Sequence, residues 1–300
     1  MKRLPSTLIF GILWLFTLLP LAVLYRFADL LFAVNYYIVG YRKKVVLKNL
    51  RNAFPAKDEA WRVQVARKFF RHLSDFLIES VKTIHITKQQ INKRYTFVNA
   101  GLFQKYYREK RDVTLISGHY ANWEWMINFP AFVQHRFLVI YQPLQNKFVN
   151  NLINGLRGKF GVEPVPMNDI YKRVLDYKKR GMPTITWFLG DQRPPSATPF
   201  WTLFLNQETG FYMGPEKIAK KLDHAVVFMD IQKIKRGRYQ VVFLELIRSA
   251  GQTADFEVSS AHVKKLEETI MKEPAFWLWS HKRWKHKRPV NRELTPLTKP

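Results

Sequence analysis

The chain has no cysteine among its 300 residues, which excludes disulfides, thiolate metal sites and a cysteine nucleophile. A reducing compartment is compatible with that composition. No Gly-x-Ser-x-Gly elbow precedes a helix, and the histidines lack the paired helical spacing that zinc sites favour. A metal hydrolase is therefore the weakest enzymatic reading. Acid is scarce: 23 Asp and Glu face 49 Lys and Arg, leaving a formal charge of +26. That excess favours an anionic partner, whether a membrane face, nucleic acid or an acidic protein. Long Pro-, Gly- or Ser-rich linkers are also missing, so the sequence offers no domain boundary within its main body.

What is present begins with an uncharged run over residues 7–25, close to the length that covers the ~30 Å hydrocarbon core. It predicts a membrane helix, kinked at Pro20, with Trp14 and Tyr25 toward the headgroups. A cleaved signal peptide fits less well, because the run is long and no small-x-small site follows. A second apolar stretch, residues 30–41, is short for a span and suits an interfacial position. Arg42, Lys43, Lys44, Lys48 and Arg51 follow it, whereas only Lys2 and Arg3 precede the first run, which places the body in the cytoplasm by the positive-inside rule. A pair of buried helices in a soluble protein is the alternative.

Residues 56–83 carry Trp61, Val65, Phe69, Leu73, Phe76 and Leu77 at helical spacing and read as scaffold, with His72 and Glu79 as surface or capping groups. The most informative stretch comes next, Val113-Thr-Leu-Ile-Ser-Gly-His-Tyr-Ala-Asn-Trp-Glu-Trp-Met126. A buried strand gives way at Ser117 and Gly118, and Asn122 is a good N-cap for an amphipathic helix ending before Pro130. Residues five apart on one helix point about 140° away from each other. With His119 in the loop and Glu124 in the first helical turn, the two can instead meet. Glu124 then fixes the tautomer and the other ring nitrogen serves as a base. With no serine elbow or cysteine available, a substrate hydroxyl is the simplest nucleophile and acyl transfer the expected chemistry. A capped turn with an acid placed to suit the helix dipole fits the same spacing.

Beyond this corner the pattern alternates in α/β fashion. Strands are predicted at 137–141, 162–165 and 184–189, helices at 147–160 and 169–179, an edge strand at 200–205, a helix from Gly214 through Leu222, a hairpin over 225–247 and a helix at 256–271. The strand 184–189 ends in Gly190-Asp191-Gln192-Arg193, and ligands in open α/β sheets gather at the carboxyl ends of strands. Asp191 and Arg193 are therefore candidates for holding a substrate polar group or an oxyanion, although an Asp-Pro-rich turn would read the same way. In the segment after residue 275, aromatics interleave with bases. That suits anionic headgroups, and with an apolar segment upstream they are preferred to single-stranded nucleic acid.

Four segments in order resemble the lipid A biosynthesis acyltransferases of the lauroyl/myristoyl type, within the superfamily that carries a histidine, four residues and an acid. They are Tyr41-Arg-Lys-Lys-Val-Val-Leu-Lys-Asn-Leu with Phe54-Pro55, Gly118-His-Tyr-Ala-Asn-Trp-Glu124, the Asp191-Gln192 corner, and Trp279-Ser-His-Lys-Arg-Trp-Lys-His-Lys-Arg-Pro289. The resemblance implies one α/β acyltransferase domain (residues 42–300) built on a mixed sheet flanked by helices, with a membrane anchor and interfacial segment over residues 1–41, on the cytoplasmic face of a bacterial inner membrane. It implies acyl carrier protein as donor, a lipid A precursor as acceptor, an anionic membrane surface as a further partner, and neither cofactor, metal nor nucleic acid. By the same likeness His119 is the general base and Glu124 its partner, while Asp191, Arg193, Asn122 and Arg157 are candidates for substrate or oxyanion contacts. The same chemistry on another membrane lipid, and a non-enzymatic basic membrane-binding scaffold, are the competing readings. Two departures stand out. Ala121 replaces the family's usual glycine. Gln142, in Tyr141-Gln-Pro143, replaces an arginine, whose role Arg157 or Arg193 would have to take.

Overall fold

The computed structural model describes residues 6–143 and 145–297. Its helices are α1 (Ser6–Phe16), α2 (Leu21–Ala33), α3 (Lys43–Ala53), α4 (Glu59–Lys82), α5 (Lys88–Asn92), α6 (Gly101–Arg108), α7 (Lys147–Lys159), α8 (Ile170–Lys179), α9 (Gly214–Leu222) and α10 (Glu257–Lys272). The strands are β1 (Tyr95–Phe97), β2 (Val113–Ser117), β3 (Arg136–Tyr141), β4 (Glu163–Pro166), β5 (Thr184–Leu189), β6 (Trp201–Phe204), β7 (Gln207–Gly210), β8 (Ala225–Lys235) and β9 (Arg238–Ile247).

Seven strands form a mixed sheet in the order β1-β9-β8-β2-β5-β3-β4, parallel except where β8 and β9 pair as a hairpin. The central strands are apolar on both faces because helices cover both. Every residue of β2 is buried. Its neighbours alternate: Leu115 joins the large cluster that includes Phe69 and Trp125, whereas Ile116 joins Ala219 and Val258 on the other side. Residues 200–205 are not an edge of this sheet. β6 pairs with β7 in a separate two-stranded ribbon, and Arg283 Nη2 donates to the Gly210 carbonyl at its end.

The N-terminal reading needs correction. The run 7–25 is broken between α1 and α2, and Lys82 Nζ ties the break by donating to the Thr17 and Leu19 carbonyls at 2.6 and 2.9 Å. Among the described residues, the one helix long and apolar enough to cross a membrane is Leu21–Val39. It takes in a π-helical stretch (Val34–Val39) and so absorbs most of the segment read as interfacial. Lys2 and Arg3 lie outside the described residues. α2 buries Leu21, Leu24, Ala28 and Phe32 in the same core cluster as Phe69 and Phe70 of α4.

His72 and Glu79 are corrected as well. They are 4% and 0% exposed and belong to the buried face of α4. The predicted α-helix after Asn122 is a 3₁₀ helix, Glu124–Phe132, with Pro130 inside it.

Candidate active site

Register, more than sequence proximity, builds the site. β2 and β5 are adjacent and parallel, with Ser117 opposite Leu189. Each strand runs into a glycine, and two residues beyond those partners stand His119 and Asp191. The ladder is extended by Gly190 N–H donating to the Ser117 carbonyl at 2.9 Å. Both glycines are required by α10 beneath them: a Cβ at Gly118 would lie 2.6 Å from Leu266 Cδ1, and one at Gly190 would lie 2.7 Å from His262 Cε1.

Asp191 is the carboxylate that meets the imidazole. Oδ1 accepts from His119 Nδ1 at 2.5 Å, and Oδ2 accepts from the His119 backbone N–H and from Trp277 Nε1, each at 2.8 Å. Burial opposes ionisation of Asp191, but the His119 charge and these donors outweigh it, and its pKa is held well below the usual carboxylate range. In the neutral imidazole, with Nδ1–H donated to Asp191, the lone pair sits on Nε2. It accepts from the exposed Gln192 amide at 3.0 Å. The His119 side chain is 12% exposed, and the Trp123 ring stands edge-on to it at 5.0 Å.

Glu124 does not take that place. The expected pairing with His119 gives way to an ion pair between Glu124 Oε1 and Arg157 Nη2 at 3.8 Å. The physical reason is local: the 3₁₀ turn starts at Glu124 itself, while Asp191 is delivered to His119 by strand register. Glu124, Arg157 and Trp123 line a cavity of about 300 Å³ whose other walls include Phe76, Leu77, Ile127 and Ile153. Arg157, from α7, is thus the arginine brought to the corner. Arg193 is exposed and lines a different, small crevice with Arg283 and Trp284. Gln142 is exposed just past β3.

Asn122 is fully buried and faces inward, so it braces the turn rather than meeting a substrate. Its Nδ2 donates to Glu79 Oε2 at 2.6 Å and its Oδ1 accepts from the Trp125 N–H at 3.1 Å, the capping bond expected of it. Glu79 also accepts from Tyr25 and Tyr239 hydroxyls at 2.7 and 2.8 Å, and burial raises its pKa despite these donors. His72 Nε2 lies 3.2 Å from the Ala121 carbonyl; burial, with Lys233 nearby, pushes its pKa down to about 3, so it is neutral and donates there. Ala121 has φ of 52°, the left-handed conformation that explains why glycine suits this position.

Several site residues escaped sequence reasoning. The closing segment pairs with the turn: Ala121 N–H donates to the Phe276 carbonyl at 3.0 Å and Leu278 N–H to the His119 carbonyl at 3.1 Å. This brings Trp277 to Asp191. Arg283 is buried over the Phe211 ring at 4.6 Å. Burial pushes its pKa down to about 10, with Asp191 opposing the shift. Burial likewise pushes His262 and His281 down to about 4 against the pull of Asp191. The one signal for Trp277, His281 and Arg283 was the aromatic-basic tail, read as a surface feature although Trp277, Trp279 and Arg283 are core; nothing in the sequence marked His262.

Comparison with known proteins agrees with this architecture. The model of the bacterial lipid A biosynthesis acyltransferase family matches residues 3–286. The lipid A biosynthesis lauroyltransferase of Escherichia coli K12 is 24% identical over 279 residues, covering 92% of this chain and 89% of that protein. The lipid A biosynthesis palmitoleoyltransferase of the same organism is 22% identical over 287 residues, covering 93% and 90%. A family match over nearly the whole length, on a mixed sheet that gathers the histidine corner, Asp191 and the closing Trp-rich segment into one site, leads to a single assignment: the chain belongs to the bacterial lipid A biosynthesis acyltransferase family.

Proposed function

We propose that the protein transfers a fatty acyl chain from acyl carrier protein to a hydroxyl of a lipid A precursor, with His119 as general base and Asp191 as the group that orients it. The observation that carries this reading is the His119–Asp191 contact of 2.5 Å at the carboxyl ends of two central strands, with Nε2 on the open side. In the first step the acceptor O–H gives its proton to Nε2 while its oxygen bonds to the thioester carbonyl carbon. Asp191 stabilises the imidazolium. The tetrahedral intermediate then collapses, the C–S bond breaks, and the departing thiolate takes the proton back from Nε2.

Glu124 has a different part from the one its spacing suggests. It holds Arg157 at the mouth of the apolar cavity, where the guanidinium can meet the oxyanion. The cavity suits the acyl chain, each buried methylene contributing about 0.8 kcal/mol. The charge of +26 suits an acidic carrier protein and phosphorylated lipid, both of which such a field would steer toward the site. On this reading the site lies on the cytoplasmic face of the inner membrane.

The test is acyl transfer in detergent micelles from acyl–acyl carrier protein to a lipid A precursor, with lipid mass spectrometry of a deletion strain beside it. His119→Ala should lose roughly 10²–10⁴-fold in kcat, the usual contribution of a general base, with the fold intact. Full activity in that variant would end the mechanism. Unchanged lipid A in the deletion strain would redirect it to another lipid acceptor.

A further inference from the structure

The helix Leu21–Val39 has the length and hydropathy of a span, and its neighbours make a crossing costly. It runs antiparallel along α4 and is joined to it at almost every turn. Lys82 holds the Thr17 and Leu19 carbonyls, and Tyr25 donates to Glu79 at 2.7 Å. Asp29 is linked to Asp75 through Arg236, with contacts of 2.9 and 2.6 Å. Arg71 lies over the Phe32 ring at 5.3 Å, and Tyr36 packs edge-on to Phe70 at 5.6 Å. Threading α2 through hydrocarbon would take Arg71, Asp75, Glu79, Lys82 and Arg236 with it, and charged side chains at the bilayer centre are among the costliest placements known.

A second face of the same helix is exposed and apolar. Val23, Phe27, Leu30, Leu31, Val34 and Ile38 are exposed, Leu30 to 61% and Ile38 to 79%. At roughly 100° per residue they fall within an arc of about 100°, its centre turned about 110° around the helix from the buried Leu21, Leu24, Ala28 and Phe32. Ile12, Leu15 and Leu18 of the preceding segment are also exposed. Exposed cations flank this apolar face, Arg26 within α2 and Arg42 and Lys44 just after it, placed to meet anionic headgroups while the apolar arc enters the acyl region.

We propose that α1 and α2 form a monotopic platform that inserts into one leaflet of an anionic bilayer without crossing it. The platform also touches the edge of the site. Phe10 of α1 packs against Phe148 of α7 at 6.0 Å, and the same helix supplies Arg157 roughly 14 Å further along, so α7 links the platform to the Glu124–Arg157 cavity. The platform itself does not rest on the acyl-transfer reading.

Because the chain lacks cysteine, single-cysteine variants of the full chain test this cleanly. The protein is reconstituted into phosphatidylethanolamine/phosphatidylglycerol vesicles. Fluorophores on Phe27→Cys, Leu30→Cys and Ile38→Cys should be quenched by brominated lipid, and one on Lys172→Cys of α8 should not. An impermeant maleimide trapped in the lumen should label neither Pro20→Cys nor Val39→Cys when the body faces outward. Luminal labelling of either end would establish a span and overturn the proposal. Unquenched fluorophores would overturn it, and disulfide crosslinking between copies of the unlabelled cysteine variants would assign the face to a second copy of the chain instead. The double variant Phe27→Glu/Leu30→Glu should lose about tenfold or more in vesicle partitioning while keeping activity in detergent micelles. Activity in that assay reports on the catalytic corner and not on bilayer binding, so a failed platform and a failed mechanism are told apart.

Discussion

Replacing Asp191 by Asn discriminates most sharply between the two carboxylates near His119. Asp191 Oδ2 serves two fixed donors, the His119 backbone N–H and Trp277 Nε1–H, while Oδ1 serves Nδ1–H. An asparagine has one acceptor oxygen. Turning its NH₂ toward the two fixed donors would leave both buried and unpaired, at about 1–3 kcal/mol each. The favoured orientation therefore keeps the oxygen there and points NH₂ at Nδ1. Nδ1 must then accept, the proton moves to Nε2, and the lone pair that acts as base is gone. The same substitution in the serine-protease triad costs roughly 10⁴-fold in kcat by this change of tautomer, equivalent to about 5.4 kcal/mol of activation energy. The expected result for Asp191→Asn is a loss of that order in single-turnover acyl transfer, with KM little changed. Glu124→Gln, which loosens Arg157 but leaves the imidazole in place, should lose less, roughly 10²–10³-fold, the range for removing one oxyanion donor. Asp191→Asn retaining a tenth of wild-type kcat, or Glu124→Gln falling further than Asp191→Asn, would refute the assignment.

Glu79→Ala should lower Tm by several degrees, because it strands the Asn122, Tyr25 and Tyr239 donors in the core at roughly 1–3 kcal/mol each. Glu79→Gln tests the charge itself. The folded pKa of Glu79 is raised above its ordinary 4.5, so stability from this carboxyl is fullest below that pH and declines as pH rises toward the folded pKa. The glutamine variant should flatten that part of a pH–denaturation series; an unchanged slope would exclude Glu79 as its source. Gly190→Ala places a methyl 2.7 Å from His262 Cε1 and should cost about 1–3 kcal/mol by overpacking, with a matching fall in the urea midpoint. Ala121→Gly relieves a left-handed alanine worth about 1–2 kcal/mol, but it deletes a fully buried methyl at about 0.8 kcal/mol and frees the unfolded chain by about 0.4–1 kcal/mol. The terms nearly cancel, so its unfolding midpoint should match wild type closely; a large gain would show that the methyl packs against nothing useful.

Local signals did specify much of the molecule. The hydrophobic run 184–189 coincides with β5, the polar turn with Gly237 marks the β8–β9 hairpin, and Pro215 opens α9. The strand before Gly118 and the turn carrying His119 were legible because a buried apolar run, a breaking glycine and a capping asparagine each act within a few residues. The Pro130 region was less legible, since a 3₁₀ helix tolerates proline in its course where an α-helix would have ended.

What remained hidden depends on contacts between residues far apart in the chain. Sequence spacing brought forward Glu124 as the partner of His119 because it is near in the chain. The fold selected Asp191, 72 residues from His119 in the chain, since Ser117 pairs with Leu189 in a parallel register that local patterning does not encode. The apolar N-terminus was legible as a membrane segment, but the helix long enough to span is Leu21–Val39 and not the run 7–25, and only its packing on α4 revealed charged groups along one face. Trp277 and Arg283 read as surface because aromatic and basic residues alternate there, yet they close the site from behind. Propensity and hydrophobic period act over a few residues and determined the elements. Strand register and helix docking are settled by the whole buried core at once, and those decided which side chains meet.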